Sequence, residues 1–401
     1  MPIRLSDRID RIKPSPTIAA SARAAELKAE GKPILTLTTG EPDFDTPDHV
    51  KQAASVAMDA GQTKYTAVDG TRELKLAVQA KFKRENGLDY ALDEILVSTG
   101  AKQVIFNAIL ATVQAGDEVI VPTPAWVSYP DMVKLAGGTP VEILCSEETG
   151  FKPTPERIAA AITPQTRVLM MNSPSNPTGA VLSAEEWQAI GDVLAEHDDI
   201  YVICDDIYEH INFTGKPFAT LAQVCPELKD RVLTVNGVSK SYAMTGWRIG
   251  YGAGPKALIA AMKKLQSQST TNASSISQAA AAAALNGGMN TVEEMRQAFL
   301  RRRDMLVERL RAMPGLSVSV PDGAFYLFVG VGGLLGKVTK GGDRLADEDD
   351  VLSYFLEQGN VAMVGGAGFG MSPYMRISYA ASDADLSEAA DRIEALIAEL
   401  G

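Results

Sequence analysis

The residues best suited to covalent chemistry lie in the stretch NGVSKSYAMTGWRIG, residues 236–250. This stretch contains one lysine, Lys240, and one arginine, Arg248, and it follows an apolar segment typical of a buried β-strand. A buried amine is unfavourable unless it is paired, neutralised or used in a reaction. A guanidinium presents a planar set of donors that suits a phosphate. The spacing therefore predicts a reactive amine beside an anion-binding arginine.

Polar residues also follow other predicted strands. The turn at 99–102 contains glycine and precedes a predicted helix, so its free N–H groups suit a phosphate. Asn176 follows a second strand in a loop fixed by prolines and a glycine, and Asp205 and Tyr208 follow a third. A carboxylate at the end of an apolar strand needs a cationic partner, unless it caps the next helix. Each feature alone is equally compatible with an ordinary turn or cap.

The elements that carry these residues predict where they meet. Residues 92–235 alternate short apolar runs with helical patterns, which predicts a mostly parallel sheet covered on both faces. Ligands of such sheets bind beyond the carboxyl ends of the strands. The predicted strands are 94–98, 117–121, 167–171, 200–204 and 231–235. We therefore expect the polar residues to share one edge of one sheet.

The C-terminal part predicts a second, smaller α/β domain. Helical patterns fill 255–311, and short strands are predicted at 316–320, 324–329, 361–364 and 375–380. The arm before residue 34 is expected to pack with this part. The predicted division is an N-terminal arm at 1–33, a large domain at 34–300 and a small domain at 301–401.

Composition narrows the classes of function. The chain has 401 residues, 46% of them hydrophobic, and a net charge of -12, which argues against nucleic acid and anionic membranes as partners. Three cysteines do not indicate a disulfide framework, and no 18-residue apolar run is present. Of the three histidines, none pairs at metal-ligand spacing, so no metal site is expected, and a structural role is expected for His197 and His210. We expect a cytoplasmic enzyme.

The groups expected at the sheet edge match one kind of ligand, a phosphorylated cationic ring that carries an aldehyde. Pyridoxal 5′-phosphate (PLP) has these features, and it needs a Schiff-base lysine and an acid beside its pyridine nitrogen. A glycine pattern at 364–370 leaves a nicotinamide-dependent oxidoreductase as an alternative of another class. That pattern opens no predicted helix and is weak by itself.

The chain resembles the fold-type I PLP-dependent aminotransferases of class I/II, and most closely the prokaryotic subgroup Ib of aspartate aminotransferases. The matching stretches are TTGEPDFDTP (38–47), TKYTAVDGTREL (63–74), STGAKQ (98–103), PAWVSYP (124–130), NSPSNPTGAV (172–181), DDIYEHI (205–211), SKSYAMTGWRIGY (239–251) and YMRISYA (374–380). The resemblance implies the aspartate aminotransferase-like α/β fold, with a large domain built on a mostly parallel sheet and a smaller α/β domain. It also implies PLP as cofactor and a homodimer whose sites are shared between subunits.

The resemblance implies a role for each cofactor-binding residue. Lys240 would form the Schiff base and carry the substrate proton, and Asp205 would keep the pyridine nitrogen protonated. The other implied contacts are Tyr208 and Asn176 at the ring's 3-oxygen, Trp126 on the ring face, Gly100, Ala101, Lys102 and Arg248 at the phosphate, and Tyr65 at the phosphate of the neighbouring subunit. Many relatives carry serine three residues before the lysine, whereas this chain has Gly237. Either Ser239 replaces that ligand or the phosphate loses one bond.

Substrate recognition is implied at positions remote from the lysine. Arg376 would bind the α-carboxylate, with Gly40, Asn176 and Trp126 nearby, and Lys102 and Thr17 would bind a second carboxylate. A flexible lysine discriminates less than an arginine fork. We therefore expect ping-pong transfer of the amino group of L-aspartate to 2-oxoglutarate, with prephenate as a further substrate. A main activity on prephenate or aromatic amino acids is the alternative, since the sequence does not rank these substrates.

Overall fold

The structure is a computed structural model that describes residues 3–401. Its α-helices are α1 Pro16–Ala29, α2 Asp48–Asp59, α3 Arg72–Asn86, α4 Ala101–Thr112, α5 Ser128–Ala136, α6 Pro155–Ala161, α7 Ala184–Ala195, α8 Leu221–Val224, α9 Lys256–Ser267, α10 Ser275–Asn286, α11 Asn290–Arg311, α12 Glu348–Glu357 and α13 Asp383–Ala398. Its strands are β1 Leu35–Thr36, β2 Ile95–Ser98, β3 Glu118–Thr123, β4 Thr139–Leu144, β5 Thr166–Asn172, β6 Tyr201–Asp205, β7 Val232–Gly237, β8 Gly250–Ala253, β9 Ser317–Val318, β10 Tyr326–Gly330, β11 Val361–Ala362, β12 Val364–Gly365 and β13 Tyr374–Ser378.

The largest sheet has seven strands in the order β2-β8-β7-β6-β5-β3-β4. Neighbours from β4 to β7 run parallel, and β8 runs antiparallel to both β7 and β2. The expected mostly parallel sheet is therefore confirmed. Two strands of this sheet were not expected. The apolar pattern of β4 is interrupted by half-exposed residues, and two of the four residues of β8 are glycine.

The sheet is covered on both faces because its buried strand residues alternate between two cores. Leu169 and Met171 of β5 face a core formed with α3, α7 and α10, while Val168 and Met170 face a core formed with α4, α5 and α9. Successive side chains of a strand point to opposite faces, so a strand covered twice must be apolar throughout. Each fully buried aliphatic side chain contributes about 1.5–3 kcal/mol to folding.

A four-stranded antiparallel sheet, β12-β13-β10-β9, forms a third core with the helices α11, α12 and α13. The register of β13 against β10 sets Arg376 opposite Phe328. The short strand β1 pairs in parallel with β11, and Ala24 and Leu27 of α1 pack against Ala362. The N-terminal segment is therefore attached to the C-terminal sheet. Among residues 3–401, no helix has both the length and the apolar character needed to cross a membrane.

Candidate active site

A cavity of about 290 Å³ lies where the carboxyl ends of β5, β6 and β7 meet the C-terminal sheet and the N-terminal arm. The sequence-predicted residues that line it are Thr17, Gly40, Ala101, Lys102, Trp126, Asn176, Asp205, Tyr208, Ser239, Lys240, Arg248 and Arg376. These residues come from segments spread over most of the chain. The structure therefore brings the predicted sheet-edge residues and the remote substrate residues into one space.

Lys240 lies three residues beyond the buried strand β7, and its amine donates a hydrogen bond to the carbonyl oxygen of Gly40. Desolvation by the surrounding protein, followed by the positive charge of Arg248, lowers the pKa of Lys240 from 10.5 to about 8. A lysine with this pKa has a substantial neutral fraction near neutral pH, and the neutral amine is the form that can attack an aldehyde or accept a proton.

Asp205 is the last residue of β6 and is 4% exposed. Its Oδ2 accepts a hydrogen bond from the hydroxyl of Tyr129 at 2.6 Å. Burial raises the pKa of Asp205 to about 6, and the hydrogen bond from Tyr129 limits the rise. A cationic ring nitrogen facing this carboxylate would provide the missing positive charge and would favour the ionised acid.

Asn176 and Tyr208 are both held by side chains of neighbouring elements. The backbone N–H of Asn176 donates to Oδ1 of Asn172 at 2.8 Å, and the amide nitrogen of Asn172 donates to the carbonyl of Asp205 at 2.7 Å. The hydroxyl of Tyr208 lies 2.9 Å from the hydroxyl of Tyr326. The loop after β5 is thus fixed directly to the end of β6.

An anion cradle is formed by the N-terminus of α4 and the guanidinium of Arg248. Gly100, just before the helix, has a φ of 88°, and the Arg248 side chain occupies the space that any Cβ at this position would need. Ala101 begins the helix, so its unpaired N–H group and the helix dipole favour an anion. A φ of 88° is a conformation that residues with a Cβ rarely adopt, and a Cβ here would also displace the Arg248 side chain, which together explain glycine at 100.

At Gly237, where a serine is expected in many relatives, a side chain would be tightly packed and its neighbours would have to shift by a few tenths of an ångström. A Cβ at Gly237 would lie 3.0 Å from the carbonyl oxygen of Ile249, and Gly237 is not among the cavity-lining residues. Ser239 does line the cavity, and within residues 3–401 its hydroxyl has no hydrogen-bond partner. Of the two, Ser239 is therefore the hydroxyl available to a ligand.

Arg376 is 1% exposed and packs against two aromatic rings. Its guanidinium carbon is 4.6 Å from the ring of Tyr326 and 4.9 Å from that of Phe369. Its terminal nitrogens donate to Asn176 Oδ1 at 3.0 Å and to the carbonyl of Thr38 at 2.6 Å. In the described part of the chain, its Nε has no hydrogen-bond partner and no carboxylate forms an ion pair with it. A buried, unpaired guanidinium of this kind suits a carboxylate ligand.

Lys102 and Thr17 line the same cavity from α4 and from the N-terminal helix α1. The Lys102 amine lies 4.6 Å from the centre of the Trp126 ring, and burial together with the charge of Arg248 lowers the pKa of Lys102. The buried hydroxyl of Thr17 has no partner among the described residues. Both groups are therefore available to a polar ligand.

Tyr65 is the one predicted site residue that lies away from this cavity. Its side chain is 90% exposed and borders a separate surface depression with residues 272–276. Within one chain it cannot contact a ligand held by Lys240. The implied contact with a neighbouring subunit stays a prediction.

Among the lining residues that were not identified from the sequence, Tyr129, Tyr326 and Asn172 hydrogen-bond to predicted site residues. Tyr129 and Asn172 lie in the motifs PAWVSYP and NSPSNPTGAV, so their motifs pointed to the region without indicating their roles. Tyr326 reaches the site because β10 pairs with β13, and this pairing is not visible in the sequence. The glycine pattern at 364–370 forms β12 and a single 3₁₀ turn, Gly366–Phe369, instead of a nucleotide-binding turn before a long helix.

Sequence comparisons give a consistent result. The profile described as aminotransferase class I and II matches residues 32–393. An aspartate aminotransferase of Rhizobium meliloti (strain 1021) is 55% identical over 390 residues, which is 97% of this chain and 95% of that protein. An aspartate/prephenate aminotransferase of Cereibacter sphaeroides (strain ATCC 17029 / ATH 2.4.9) is 53% identical over 396 residues, or 99% of each chain.

Solved structures are similar over the whole chain. The crystal structure of the Rhizobium meliloti aspartate aminotransferase matches with a TM-score of 0.97 at 54% identity and covers 100% of both chains. The Thermus thermophilus aspartate aminotransferase with maleate matches with a TM-score of 0.92 at 44% identity, covering 98% of this chain and 100% of that chain. These similarities confirm the fold class expected from the sequence.

Proposed function

The chain belongs to the aminotransferase class I and II family, and we propose that it transfers the amino group of L-aspartate to 2-oxoglutarate in a ping-pong reaction. The products are oxaloacetate and L-glutamate. The observation that carries the proposal is the single cavity that holds the amine of Lys240, the carboxylate of Asp205 and the unpaired guanidinium of Arg376.

Members of this family use PLP, and the cavity fits it. Arg248, Ser239 and the N-terminus of α4 offer donors to a phosphate, and Asp205 offers a buried carboxylate that lacks a cation. When bound, the cofactor acts as an electron sink for the negative charge that develops at the substrate Cα. We propose that Asp205, hydrogen-bonded to Tyr129, keeps the ring nitrogen protonated so that this sink remains effective.

Lys240 is proposed as the catalytic residue. Its amine would hold the cofactor's aldehyde carbon in the resting enzyme and, once displaced by the substrate amine, would take the proton from Cα. The lowered pKa of Lys240 supplies the neutral amine that this step requires. Tyr208 and Asn176, fixed by Tyr326 and Asn172, would orient the ring through its 3-oxygen.

Arg376 is proposed to bind the substrate α-carboxylate, close to Gly40, Asn176 and Trp126. Binding two carboxylate oxygens to one guanidinium fixes the orientation of the Cα–H bond. Lys102 and Thr17 would bind the second carboxylate, because both present free polar groups to the cavity.

Prephenate is a second candidate substrate. Two similar proteins, from Cereibacter sphaeroides and Nitrosomonas europaea, are named aspartate/prephenate aminotransferases. Lys102 is a flexible point charge, which tolerates a second carboxylate at more than one position better than an arginine fork does.

We also propose a homodimer in which Tyr65 reaches the phosphate of the neighbouring subunit. The strong exposure of its side chain supports this role, because the residue is free to contact a second copy. The division into 1–33, 34–300 and 301–401 is likewise proposed. Two cores around the seven-stranded sheet and a separate core around the four-stranded sheet support it, although α11 crosses the boundary at 300.

The decisive experiment combines a spectrum with substrate kinetics. The protein reconstituted with PLP should show a visible absorbance band that L-aspartate and L-glutamate remove and that oxaloacetate or 2-oxoglutarate restores. Values of kcat/KM for aspartate, glutamate, prephenate and phenylalanine should be highest for aspartate. If kcat/KM is higher for prephenate than for oxaloacetate when each is the amino acceptor, prephenate is the main substrate. A band that no amino acid removes would contradict amino transfer.

A further inference from the structure

A buried carboxylate outside the cavity organises one wall of the candidate site. Glu348 is the first residue of α12 and is 4% exposed. Its Oε1 accepts a hydrogen bond from the N–H of Ala367 at 2.7 Å, and its Oε2 accepts from Ser372 Oγ at 2.6 Å and from the N–H of Tyr374 at 3.1 Å. Within residues 3–401 no basic side chain forms an ion pair with it. The carboxylate is therefore held by three hydrogen bonds from the segment 366–374 and by its place at the N-terminus of α12.

This segment contains Phe369, one of the two aromatic residues whose rings pack against the Arg376 guanidinium. Phe369, at the end of the 3₁₀ turn Gly366–Phe369, is 2% exposed, and its ring centre lies 4.9 Å from the Arg376 guanidinium carbon. The ring of Tyr326 lies on the guanidinium at 4.6 Å. Tyr326 is held by strand pairing. Phe369 packs against Phe328, and its backbone lies in a segment that Glu348 binds at residues 367, 372 and 374.

The same turn also contacts two other parts of the cavity wall. The carbonyl oxygen of Phe369 accepts a hydrogen bond at 2.9 Å from the N–H of Ala125, the residue before Trp126. Gly368 lies so close to the N-terminal arm that a Cβ there would be 2.8 Å from Pro16 Cγ, and Pro16 precedes Thr17. A shift of the turn would therefore move the surroundings of Arg376, Trp126 and Thr17 together.

We propose that Glu348 is a positioning residue for substrate carboxylate recognition, acting through the turn that places Phe369 against Arg376. The proposal rests on the proposed role of Arg376. A guanidinium packed against two rings is restricted in its orientation, and that orientation determines whether both oxygens of a carboxylate are bound. Loss of these hydrogen bonds should weaken substrate binding more than it slows the chemical step, because within residues 3–401 neither Lys240 nor Asp205 is hydrogen-bonded to the segment 366–374 through its side chain.

The test is Glu348→Gln in the PLP-loaded enzyme. An amide keeps the shape but replaces one acceptor oxygen with a donor nitrogen, so at least one N–H or O–H group of the segment loses its partner. KM for aspartate should rise about fivefold or more, and kcat should stay within about twofold. The dissociation constant of succinate, a dicarboxylate that cannot react, should rise by the same factor. This binding measurement does not depend on turnover.

Asp349→Asn is the matched control. Asp349 lies in the same helical turn with an exposed side chain, and it accepts no hydrogen bond from 366–374 in the described chain. Its KM and succinate affinity should match those of the unmodified enzyme. A purely structural role for Glu348 predicts a lower unfolding temperature for Glu348→Gln with unchanged KM, and that result would overturn the proposal.

A double-mutant cycle shows whether Glu348 acts through Phe369. Phe369→Leu removes the ring and leaves the three hydrogen bonds in place, so it should raise KM by itself. Adding Glu348→Gln to Phe369→Leu should raise KM by clearly less than it does alone, because both changes remove the same restraint. If the two substitutions raise KM independently, so that their factors multiply in the double variant, Glu348 does not act through Phe369.

Arg376→Lys distinguishes an error in the proposed role of Arg376 from an error in the proposed role of Glu348. If this variant leaves KM for aspartate unchanged, the proposed function of Arg376 is wrong. If it raises KM and Glu348→Gln does not, only the role of Glu348 is wrong. Should Glu348→Gln not give folded protein, Ser372→Ala removes a single hydrogen bond to the carboxylate. It should raise KM about twofold, and an unchanged value would reject the proposed role of Glu348.

Discussion

Two lysines, Lys81 and Lys240, lie in adjacent but opposite environments. Lys81 is 0% exposed on α3, and its amine donates to the Glu209 carboxylate and to Asn86 Oδ1, with Glu85 Oε2 at 3.6 Å. Lys240 lies at the cavity, and in the described chain its one hydrogen bond is to the backbone carbonyl of Gly40. The Lys81 amine is paired with carboxylates. The Lys240 amine donates to a carbonyl and is influenced by two arginines, Arg248 and Arg376, and by two carboxylates, Glu41 and Asp205.

The two environments are directly connected. Asn236, the second-last residue of β7, donates to Glu209 Oε2 at 2.7 Å, and Ser241, the neighbour of Lys240, lies 2.8 Å from His210 Nδ1. His210 in turn lies 2.9 Å from Glu85 through Nε2. His210 thus links the loop after β7 to α3. Both lysines are buried, so the difference between them lies in the partners of each amine: a carboxylate and an amide oxygen at Lys81, and a backbone carbonyl at Lys240.

The largest effect is expected for Lys240→Ala. Removing the amine removes the group that would hold the cofactor and move the substrate proton, so kcat should fall by roughly 10⁴-fold or more. The measurement is the steady-state rate with aspartate and 2-oxoglutarate. The midpoint temperature of thermal unfolding should be at least as high as that of the unmodified protein, because the substitution removes a desolvated amine. A retained rate above a few per cent would contradict the role of Lys240.

Lys81→Met should have the opposite profile. It leaves Glu209 buried without its cation, which costs about 3–5 kcal/mol of the free energy of unfolding. The folded fraction should keep a kcat within a few-fold of normal, because Lys81 does not line the cavity. Urea unfolding of this variant can be compared with Lys83→Met, whose partner Asp89 is strongly exposed. Equal stability of the two variants would show that the buried ion pair is not a structural requirement.

The pKa of Lys240 can be tested in the cofactor-free protein. The neutral amine attacks an aldehyde, so the rate of PLP uptake should rise with pH, about tenfold per pH unit well below the pKa. The rise should level off above about 8, since the folded-state pKa of Lys240 is lowered to that value. An ordinary lysine would continue to gain reactivity up to about 10.4. Lys240→Ala supplies the baseline, and a midpoint near 10 would contradict the desolvated environment.

The environment of Lys102 is intermediate between those of Lys81 and Lys240. Its substitution is expected to have the smallest effect on activity. Its amine is partly desolvated against Trp126 but is open to the cavity mouth. Lys102→Gln should lower kcat/KM for aspartate about three- to tenfold, because this factor corresponds to the free energy that one partly exposed ion pair contributes to binding. For alanine, which lacks the second carboxylate, it should change little. Equal losses for both amino acids would assign Lys102 to the cofactor phosphate alone.

The sequence predicted most of the fold because its apolar runs and helical periods are clear. It did not predict β4, whose residues are half exposed at the sheet edge, or β8, which consists largely of glycine and small residues. Lys240, Asp205, Asn176 and Tyr208 were identified because polar residues after apolar strands collect at one sheet edge. Tyr326 and Glu348 were not identified, because their contacts depend on strand register and on the packing of a distant helix.

By itself, the sequence determined which residue types follow the strands, and so it determined the kind of chemistry the chain can support. It did not show that Lys81 is buried in an ion pair, because its partner Glu209 is remote in the sequence. The tertiary structure brings Glu209 to Lys81 across 128 residues and leaves Lys240 beside Arg248 and Arg376. The physical reason is that charges perturb an amine strongly only over a few ångströms, and folding alone sets such distances.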